Sequence, residues 1–367
     1  MSNDAIEKWL LSGKAACIGE LRLRPKPRSD LAKSPLMIQR GQATAFWLWD
    51  DQGGEWILKK FHPGKTPDQR YLLAIGRLLP SHASLVAGTG RRLLTACDLH
   101  GKWGCHKSAE LASWLAGTLL MPRVRGSSWF AIADEIRTGE ITLSSTQRWL
   151  LCRELAETVR LLESRQEAHR DLSGGNVLID LSRNGIALID FDCLFHSSLL
   201  MPAATTSGTE GYIAQFVYEK GAPNPARTWC PMADRFALAL LSAEFLALGL
   251  DSPCMGDGGL FNQAELNARR GPSIDHVRGR LRTQHPGVGR LLDRALGSDK
   301  FADCPSPCEW IALAKGEGVN PAPSLADLGS LSAGEFERIL KRRARAVPAW
   351  PAPRLDDLPK IELALAT

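Results

Sequence analysis

The chain has 367 residues, 44% of them hydrophobic and 23% charged, and its net charge is +5. It is long enough to bury a substantial core, and its composition is ordinary for a globular protein with two or three structural units. The weak, dispersed positive charge argues against nucleic acid as the main ligand and is compatible with an anionic ligand or a mildly acidic partner.

The first third of the chain is predicted to be rich in strands. After a basic, proline-containing arm, "MIQRGQATAFWLWDDQGGEWILKKF" has two runs of aromatic and β-branched residues around the turn signal "DDQGG". This pattern predicts antiparallel strands. Next, "PDQRYLLAIGRLLP" has apolar residues at helical spacing and ends at Pro80, so we expect a helix. A further strand is predicted to end at "GTLLMPRV".

Possible zinc ligands are concentrated in "CDLHGKWGCH", which contains Cys97, His100, Cys105 and His106. Their spacing is not a standard zinc spacing and no second cluster accompanies them, so reduced structural thiols are the alternative. Cys304 and Cys308 form a weaker candidate. The nine cysteines show no regular framework, and the first twenty residues do not have a secretory pattern. We therefore expect a cytoplasmic protein with reduced cysteines.

The middle of the chain is predicted to be mostly helical. "SSTQRWLLCRELAETVRLLESRQEA" has a 3.6-residue period, with Ser144 or Ser145 as the N-cap. The most apolar segment, "FALALLSAEFLALGL", is interrupted by Glu244, which favours a buried helix over a membrane span. A proline-bearing linker, a basic helix and a second proline-rich stretch follow. The predicted units are an arm (1–34), a strand-rich unit (35–120), a helical unit (121–315) and a tail (316–367).

The segment "HRDLSGGNVLID" contains a candidate catalytic aspartate, Asp171, and a candidate metal ligand, Asn176. The strands on either side of "LSRNG" should form a hairpin, because Asn184-Gly185 is a strong turn dipeptide. Folding the hairpin about Arg183 would bring Asn176 opposite Asp190 at its open end. Two oxygen ligands beside a base suit magnesium bound to phosphate. The alternative is a pair of polar residues that close a hairpin.

Five segments, in this order, resemble the motifs of the protein-kinase family. "WILKKF" resembles the strand with the ATP-binding lysine, "HRDLSGGN" the catalytic loop, and "DFD" the family's D-F-G. "GTEGYIAQF" is similar to the end of the activation segment, and "ADRFALALL" to the start of the long helix of the C-lobe. The resemblance spans roughly residues 35 to 315. It implies an α+β, bilobal protein kinase-like fold with a strand-rich N-lobe and a helical C-lobe.

The resemblance implies a role for each matching residue. Asp171 would orient the acceptor hydroxyl and take its proton, and Asn176 and Asp190 would hold Mg²⁺ on the phosphates of ATP. Asp192 replaces the glycine of D-F-G, and is either a further metal ligand or a divergence without a role. Asp234 would brace the catalytic loop.

The resemblance also implies a nucleotide site. Lys59, rather than Lys60, would neutralise the α and β phosphates. The segment from Met121 to Val124 would receive adenine through its backbone. Gly41 is the one glycine retained in the phosphate-covering loop "RGQATA".

The chain departs from the family pattern at several positions. The helix that should supply a glutamate for the lysine contains none, and Gln69 is the nearest polar substitute. Ser173 replaces a lysine of the catalytic loop. Gln215 and Phe216 stand where the family has P-E, and Cys304 stands where it has the arginine that pairs with that glutamate. Loss of both partners of a buried ion pair can leave the free energy of unfolding nearly unchanged, whereas loss of one partner leaves an unpaired buried charge.

These features predict a divergent serine/threonine protein kinase that uses ATP and Mg²⁺ and phosphorylates a protein substrate and itself. It most resembles bacterial kinases of the tellurite-resistance-associated type. A small-molecule phosphotransferase of the aminoglycoside or choline kinase kind is the first alternative, and a pseudokinase scaffold is the second. The basic tail helix either docks on a protein partner or is a solvated tail. Neither nucleic acid nor a membrane is an expected partner.

Overall fold

The computed structural model describes residues 9–10, 12–18, 21–26, 37–40, 42–78, 92–94, 109–182, 185–203, 205–254 and 259–316. The possible zinc cluster at 97–106 and the tail at 317–367 lie outside these ranges. Within them, no group of three or more histidine, cysteine, aspartate or glutamate side chains is arranged to hold a metal. Cys304 is buried and Cys308 is exposed, and each carries a free thiol.

An antiparallel sheet dominates the first part of the chain. Its strands are β1 (Ala16–Ile18), β2 (Leu21–Pro25), β3 (Met37–Arg40), β4 (Ala43–Asp50), β5 (Glu55–Phe61), β6 (Arg92–Leu93) and β7 (Leu119–Pro122). The order is β1-β2-β4-β5-β7-β6, with β3 also paired to β4. Strands β4 and β5 form the predicted hairpin around 51–54, where the Asp50 carboxylate accepts hydrogen bonds from the Gln52 and Gly54 amides.

Helices make up most of the second part of the chain. The helices are α1 (Gln69–Leu78), α2 (Ala109–Leu115), α3 (Trp129–Thr138), α4 (Ser145–Ser164), α5 (Arg235–Ala247), α6 (Gln263–Ala268), α7 (Pro272–Gln284), α8 (Pro286–Gly297) and α9 (Pro307–Gly316). Ser144 caps α4 with a capping box completed by Gln147, as the sequence predicts. Helix α5 is buried over almost its whole length. Among the described helices, none combines the length and the apolar composition needed to cross a membrane.

Short strands position the loops between these helices. They are β8 (Ser127–Ser128), β9 (Glu167–Ala168), β10 (Val177–Asp180), β11 (Gly185–Leu188), β12 (Phe195–His196), β13 (Tyr218–Glu219) and β14 (Ala222–Pro223). The predicted register of the β10–β11 hairpin is wrong by one residue. Val177 pairs with Leu188, and Asn176 therefore lies opposite Ile189 rather than Asp190. The shift matches two fully buried side chains, Val177 and Leu188, across the hairpin.

The fold is therefore α+β, with an antiparallel sheet followed by a helical part, and α1 packs against both. Leu72 of this helix packs in a small cluster with Phe61 and Leu119 of the sheet. Tyr71 and Ile75, on the same helix, belong to the large core of the helical part. Helix α1 thus connects the strand that carries Lys59 to the loops that follow α4.

Candidate active site

The loop at 169–176 is fixed by a buried carboxylate. Asp234, which immediately precedes α5, accepts hydrogen bonds from the backbone amides of His169 (2.7 Å) and Arg170 (2.8 Å). Arg170 has a left-handed backbone, with φ of 66°. Burial raises the pKa of Asp234, and the charge of His169 and the two amide hydrogen bonds oppose this effect. Asp234 therefore holds the backbone of this loop, in the position that the kinase resemblance implies for a bracing aspartate.

Asp171 has the environment of a proton acceptor. Its Oδ1 accepts a hydrogen bond from the Thr209 hydroxyl at 2.7 Å, and its Oδ2 lies 3.3 Å from the Asn176 amide nitrogen. Burial raises the pKa of Asp171 to about 6, although the Thr209 hydrogen bond acts in the opposite direction. A carboxylate with a pKa near neutrality that already binds one hydroxyl can receive a proton from another.

Asn176 is oriented by the loop itself. Its side-chain nitrogen donates to the Asp171 carbonyl at 2.8 Å, and its backbone amide donates to the Ser173 carbonyl at 3.0 Å. Between them, Gly174 is required because a Cβ there would lie 2.4 Å from the Phe130 ring. Within the described chain the side-chain oxygen of Asn176 accepts no hydrogen bond, which leaves it available to a ligand.

Lys59 reaches the same site from strand β5. Its amine forms ion pairs with Asp190 and with Asp192, at 2.6 Å in the latter case. Burial by itself lowers the pKa of Lys59, but the charges of Asp190 and Asp192 outweigh it and raise the pKa. The next residue, Lys60, points elsewhere and donates to the Trp114 carbonyl at 2.5 Å. Of the two lysines, Lys59 is the one whose amine faces Asp190.

The segment that carries the two aspartates forms a tight turn. Asp190 adopts a left-handed conformation (φ 68°, ψ 53°) before the 3₁₀ turn Phe191–Cys193. Phe191 is buried with its ring centroid 4.7 Å from that of His169. Burial raises the pKa of Asp190, Lys59 lowers it, and the charge of Asp192 raises it further. The turn therefore holds two like charges beside one lysine.

Asp190 and Asn176 each offer a donor type that suits a divalent metal on phosphate. Asp190 keeps 32% of its side-chain surface accessible, and Asn176 offers an unbonded amide oxygen. Lys59 carries one positive charge against two carboxylates, so a negative charge is left over for a cation. Hard oxygen ligands of this kind, few in number, suit Mg²⁺ that also binds phosphate oxygens.

Two of the three predicted nucleotide-binding positions, Met121 and Val124, lie at or just after the end of β7. Met121 lies on β7 opposite Ile57 of β5, and Val124 follows the end of β7. Gly41 lies outside the described residues. No adenine contact is defined by these positions, so the three assignments remain predictions.

Neutral residues occupy the positions at which the kinase resemblance implies a buried ion pair. Gln215 donates to the carbonyls of Leu296 (3.2 Å) and Ser298 (2.7 Å). Phe216 packs edge-on against Phe301, with ring centroids 4.8 Å apart. Cys304 is buried as well. The three positions at which the resemblance implies a proline, a glutamate and an arginine therefore carry uncharged side chains.

Sequence reasoning missed two residues of the site. Thr209 lies in the quoted "GTEGYIAQF" segment, but its bond to Asp171 crosses 38 residues of chain. Tyr71 of α1 donates its hydroxyl to the Leu194 carbonyl at 2.5 Å, across 123 residues. The motif "GTEGY" was a usable signal for Thr209, whereas Tyr71 had no sequence signal beyond its position on an apolar helix face.

Arg170 is buried in a cage of neutral oxygen atoms. Its guanidinium donates to the carbonyls of Cys193 and Thr206 and to the Thr205 hydroxyl (3.2 Å), among others. It also lies over the Trp229 ring, 4.7 Å from the centroid. Among the described residues it forms no ion pair with a carboxylate. A phosphate on Thr205 would therefore be within its reach.

No protein-family model matches this chain, and no curated protein matches it. The function is therefore inferred from the residues and geometry of the site.

Proposed function

We propose that this protein transfers the terminal phosphoryl group of ATP, with Mg²⁺, to serine or threonine hydroxyls of a protein substrate, within a bilobal protein kinase-like fold. The observation that carries the proposal is that Lys59 pairs with Asp190, and that the residues on either side of Asp190 contact His169, two residues before Asp171. The charges of Asp190 and Lys59 both act on the pKa of Asp171. ATP and Mg²⁺ supply the phosphoryl group and the neutralisation of its charge.

Each residue then has one task. Lys59 neutralises phosphate charge, and Asp190 and the Asn176 oxygen are the ligands offered to the metal. Asp171 orients the acceptor hydroxyl and takes its proton. The hydroxyl of Thr209, which donates to Asp171 at 2.7 Å, makes the type of hydrogen bond that an acceptor hydroxyl would make.

A fixed segment lies beside Asp171, to which its Thr209 is hydrogen-bonded. Gln263 of α6 accepts hydrogen bonds from the amides of Gly211 and Ile213. The Tyr212 hydroxyl donates at 2.9 Å to buried Glu244, whose pKa burial raises to about 7. A cavity of about 430 Å³ opens beside this segment and α6. We assign this segment and its cavity to an extended polypeptide and one of its side chains. A cavity of this volume also suits a small molecule, so the aminoglycoside arm of the test decides between them.

The test uses the purified full chain with Mg²⁺ and ATP labelled on its terminal phosphate. Label is read on the protein itself, on a generic unfolded protein and on an aminoglycoside. We expect Asp171→Asn to retain ATP binding within a few-fold and to lose phosphotransfer by roughly a hundredfold or more. The matched control is Asp134→Asn on the exposed face of α3, which should transfer normally.

Three results would overturn the proposal. Equal rates in wild type and Asp171→Asn would remove the assigned base. Label on the aminoglycoside alone would favour a small-molecule phosphotransferase. ATP binding without any transfer by the wild type would favour a scaffold, and its partner binding would then be indifferent to Asp171→Asn.

A further inference from the structure

Lys59 is held without a carboxylate from helix α1. The sequence of this helix, "QRYLLAIGRL", contains no acidic residue. Among the described residues, the ion-pair partners of Lys59 are Asp190 and Asp192 alone. A buried ammonium group needs an opposite charge close by, because burial without one is costly. One of the two aspartates must therefore supply that charge when the other binds a metal.

The two carboxylates differ in exposure. Asp192 keeps 8% of its side-chain surface accessible and Asp190 keeps 32%. The Oδ2 atom of Asp192 lies 2.6 Å from the Lys59 amine, whose own side chain is 13% accessible. Asp190 is thus the carboxylate that an incoming ligand can reach, and Asp192 is the one enclosed with the lysine.

Three anchors fix the turn on which Asp192 lies. Phe191 packs on the ring of His169. The Cys193 carbonyl accepts from Arg170 at 3.0 Å, and the Leu194 carbonyl accepts from Tyr71 of α1 at 2.5 Å. The residues on either side of Asp192 are therefore held, so its side chain has a defined direction towards Lys59. Helix α1 contributes through a neutral tyrosine that holds the turn, not through a charge.

We propose that Asp192 is the positioning residue for Lys59, in place of a helix carboxylate, and that it leaves Asp190 free for the metal. This inference rests on the proposed phosphotransfer. It differs from the two interpretations that the sequence left open for Asp192, a metal ligand or a divergence without a role. In the nucleotide-bound protein Lys59 keeps one carboxylate partner while Asp190 turns to the cation.

The first test needs no nucleotide. A brief exposure of the free protein to an amine-acylating reagent is followed by mass spectrometry of Lys59, with Lys60 as the internal control. We expect Asp192→Asn to raise labelling of Lys59 several-fold relative to Lys60, because the remaining partner of Lys59, Asp190, is the more accessible of the two carboxylates. Asp134→Asn should leave the ratio unchanged. Asp192→Gly provides a second variant in case the side chain introduced by Asp192→Asn does not pack at this buried position.

The second test separates lysine positioning from metal binding. ADP affinity is measured over a range of Mg²⁺ concentrations and in chelator. We expect Asp192→Asn to weaken ADP binding without moving the Mg²⁺ half-saturation point, whereas Asp190→Asn should raise that point about tenfold or more. In chelator, Lys59→Met combined with Asp192→Asn should bind ADP no more weakly than Lys59→Met alone.

Each outcome has a clear meaning. Unchanged labelling of Lys59 in both Asp192 variants, or a large shift of the Mg²⁺ half-saturation point in Asp192→Asn, would overturn the assignment. Additive losses in the double variant would do the same. If the wild type binds no ADP, the proposed function fails, while the labelling result still reports on the contact between Asp192 and Lys59.

Discussion

The Thr209 hydroxyl should set the pH at which this protein works. It donates to Asp171 at 2.7 Å and so stabilises the charged carboxylate, against the burial that raises the pKa of Asp171 to about 6. A base acts only when deprotonated, so wild-type phosphotransfer should fall as the pH drops through about 6. Thr209→Val keeps the shape and removes the donor, which should raise the pKa of Asp171. Thr209→Ser keeps the donor and is the matched control.

The magnitude follows from one hydrogen bond to a charged group. Such a bond contributes about 1.5–3 kcal/mol, and one pKa unit corresponds to about 1.4 kcal/mol. We therefore expect the acidic limb of the pH–rate profile to lie about one to two pH units higher in Thr209→Val than in wild type. At pH 6.5 the base form of Asp171 would fall from roughly three quarters of the molecules to between roughly a quarter and roughly a thirtieth.

The assay is kcat/KM for phosphotransfer between pH 5 and 9, because this ratio reports the free enzyme. Thr209→Val should show the shifted limb, and Thr209→Ser should follow the wild type. A limb that does not move in Thr209→Val would refute the reasoning. So would a wild-type rate that is unchanged from pH 8 down to pH 5, since Asp171 could not then be the proton acceptor.

Two substitutions and one phosphorylation site provide further tests of the loops and the core. Asp234→Ala should lower the free energy of unfolding by roughly 2–6 kcal/mol, measured by urea titration, because two buried amides lose their acceptor. Glu244 has a pKa raised to about 7, so its contribution to stability is full below pH 4.5 and is lost as the pH rises through 7. Relative to Glu244→Gln, wild type should lose up to about 3 kcal/mol across that window. Autophosphorylation should occur on Thr205, whose hydroxyl contacts Arg170, and mass spectrometry of active protein would detect it.

Specific results would contradict these expectations. An Asp234→Ala variant as stable as wild type would show that the two amides find other acceptors. A stability difference between wild type and Glu244→Gln that is flat from pH 4 to pH 8 would show that folding does not raise the pKa of Glu244. Fully active protein in which Thr205 carries no phosphate would remove that site.

Local patterns were sufficient where one segment decides the structure. The β4–β5 hairpin followed from two apolar runs around "DDQGG", and the start of α4 followed from the cap at Ser144. The burial of α5 followed from its largely apolar sequence, which Glu244 interrupts. In each case the determining residues are neighbours in the chain, so periodicity, turn residues and caps carry the information.

Features set by distant contacts could not be predicted in the same way. The hairpin register depended on matching Val177 with Leu188 in the core, which the turn dipeptide alone does not specify. The pairing of Lys59 with Asp192 joins residues 133 positions apart, and no spacing rule links them. The order of the motifs brought the candidate site residues into one hypothesis. Which carboxylate pairs with which basic side chain depends on the folded chain.

The position of α1 has a consequence for how the protein unfolds. Tyr71 and Ile75 are part of the core of the helical half, whereas Leu72 on the same helix completes the packing of the sheet. A boundary between the two parts near residue 120 would also fall within β7, which pairs with β5. Neither half can therefore lose its structure without exposing apolar surface of the other, so we expect a single cooperative unfolding transition. Tryptophan fluorescence and far-ultraviolet circular dichroism should follow one curve, and two separated midpoints would show instead that the halves melt independently.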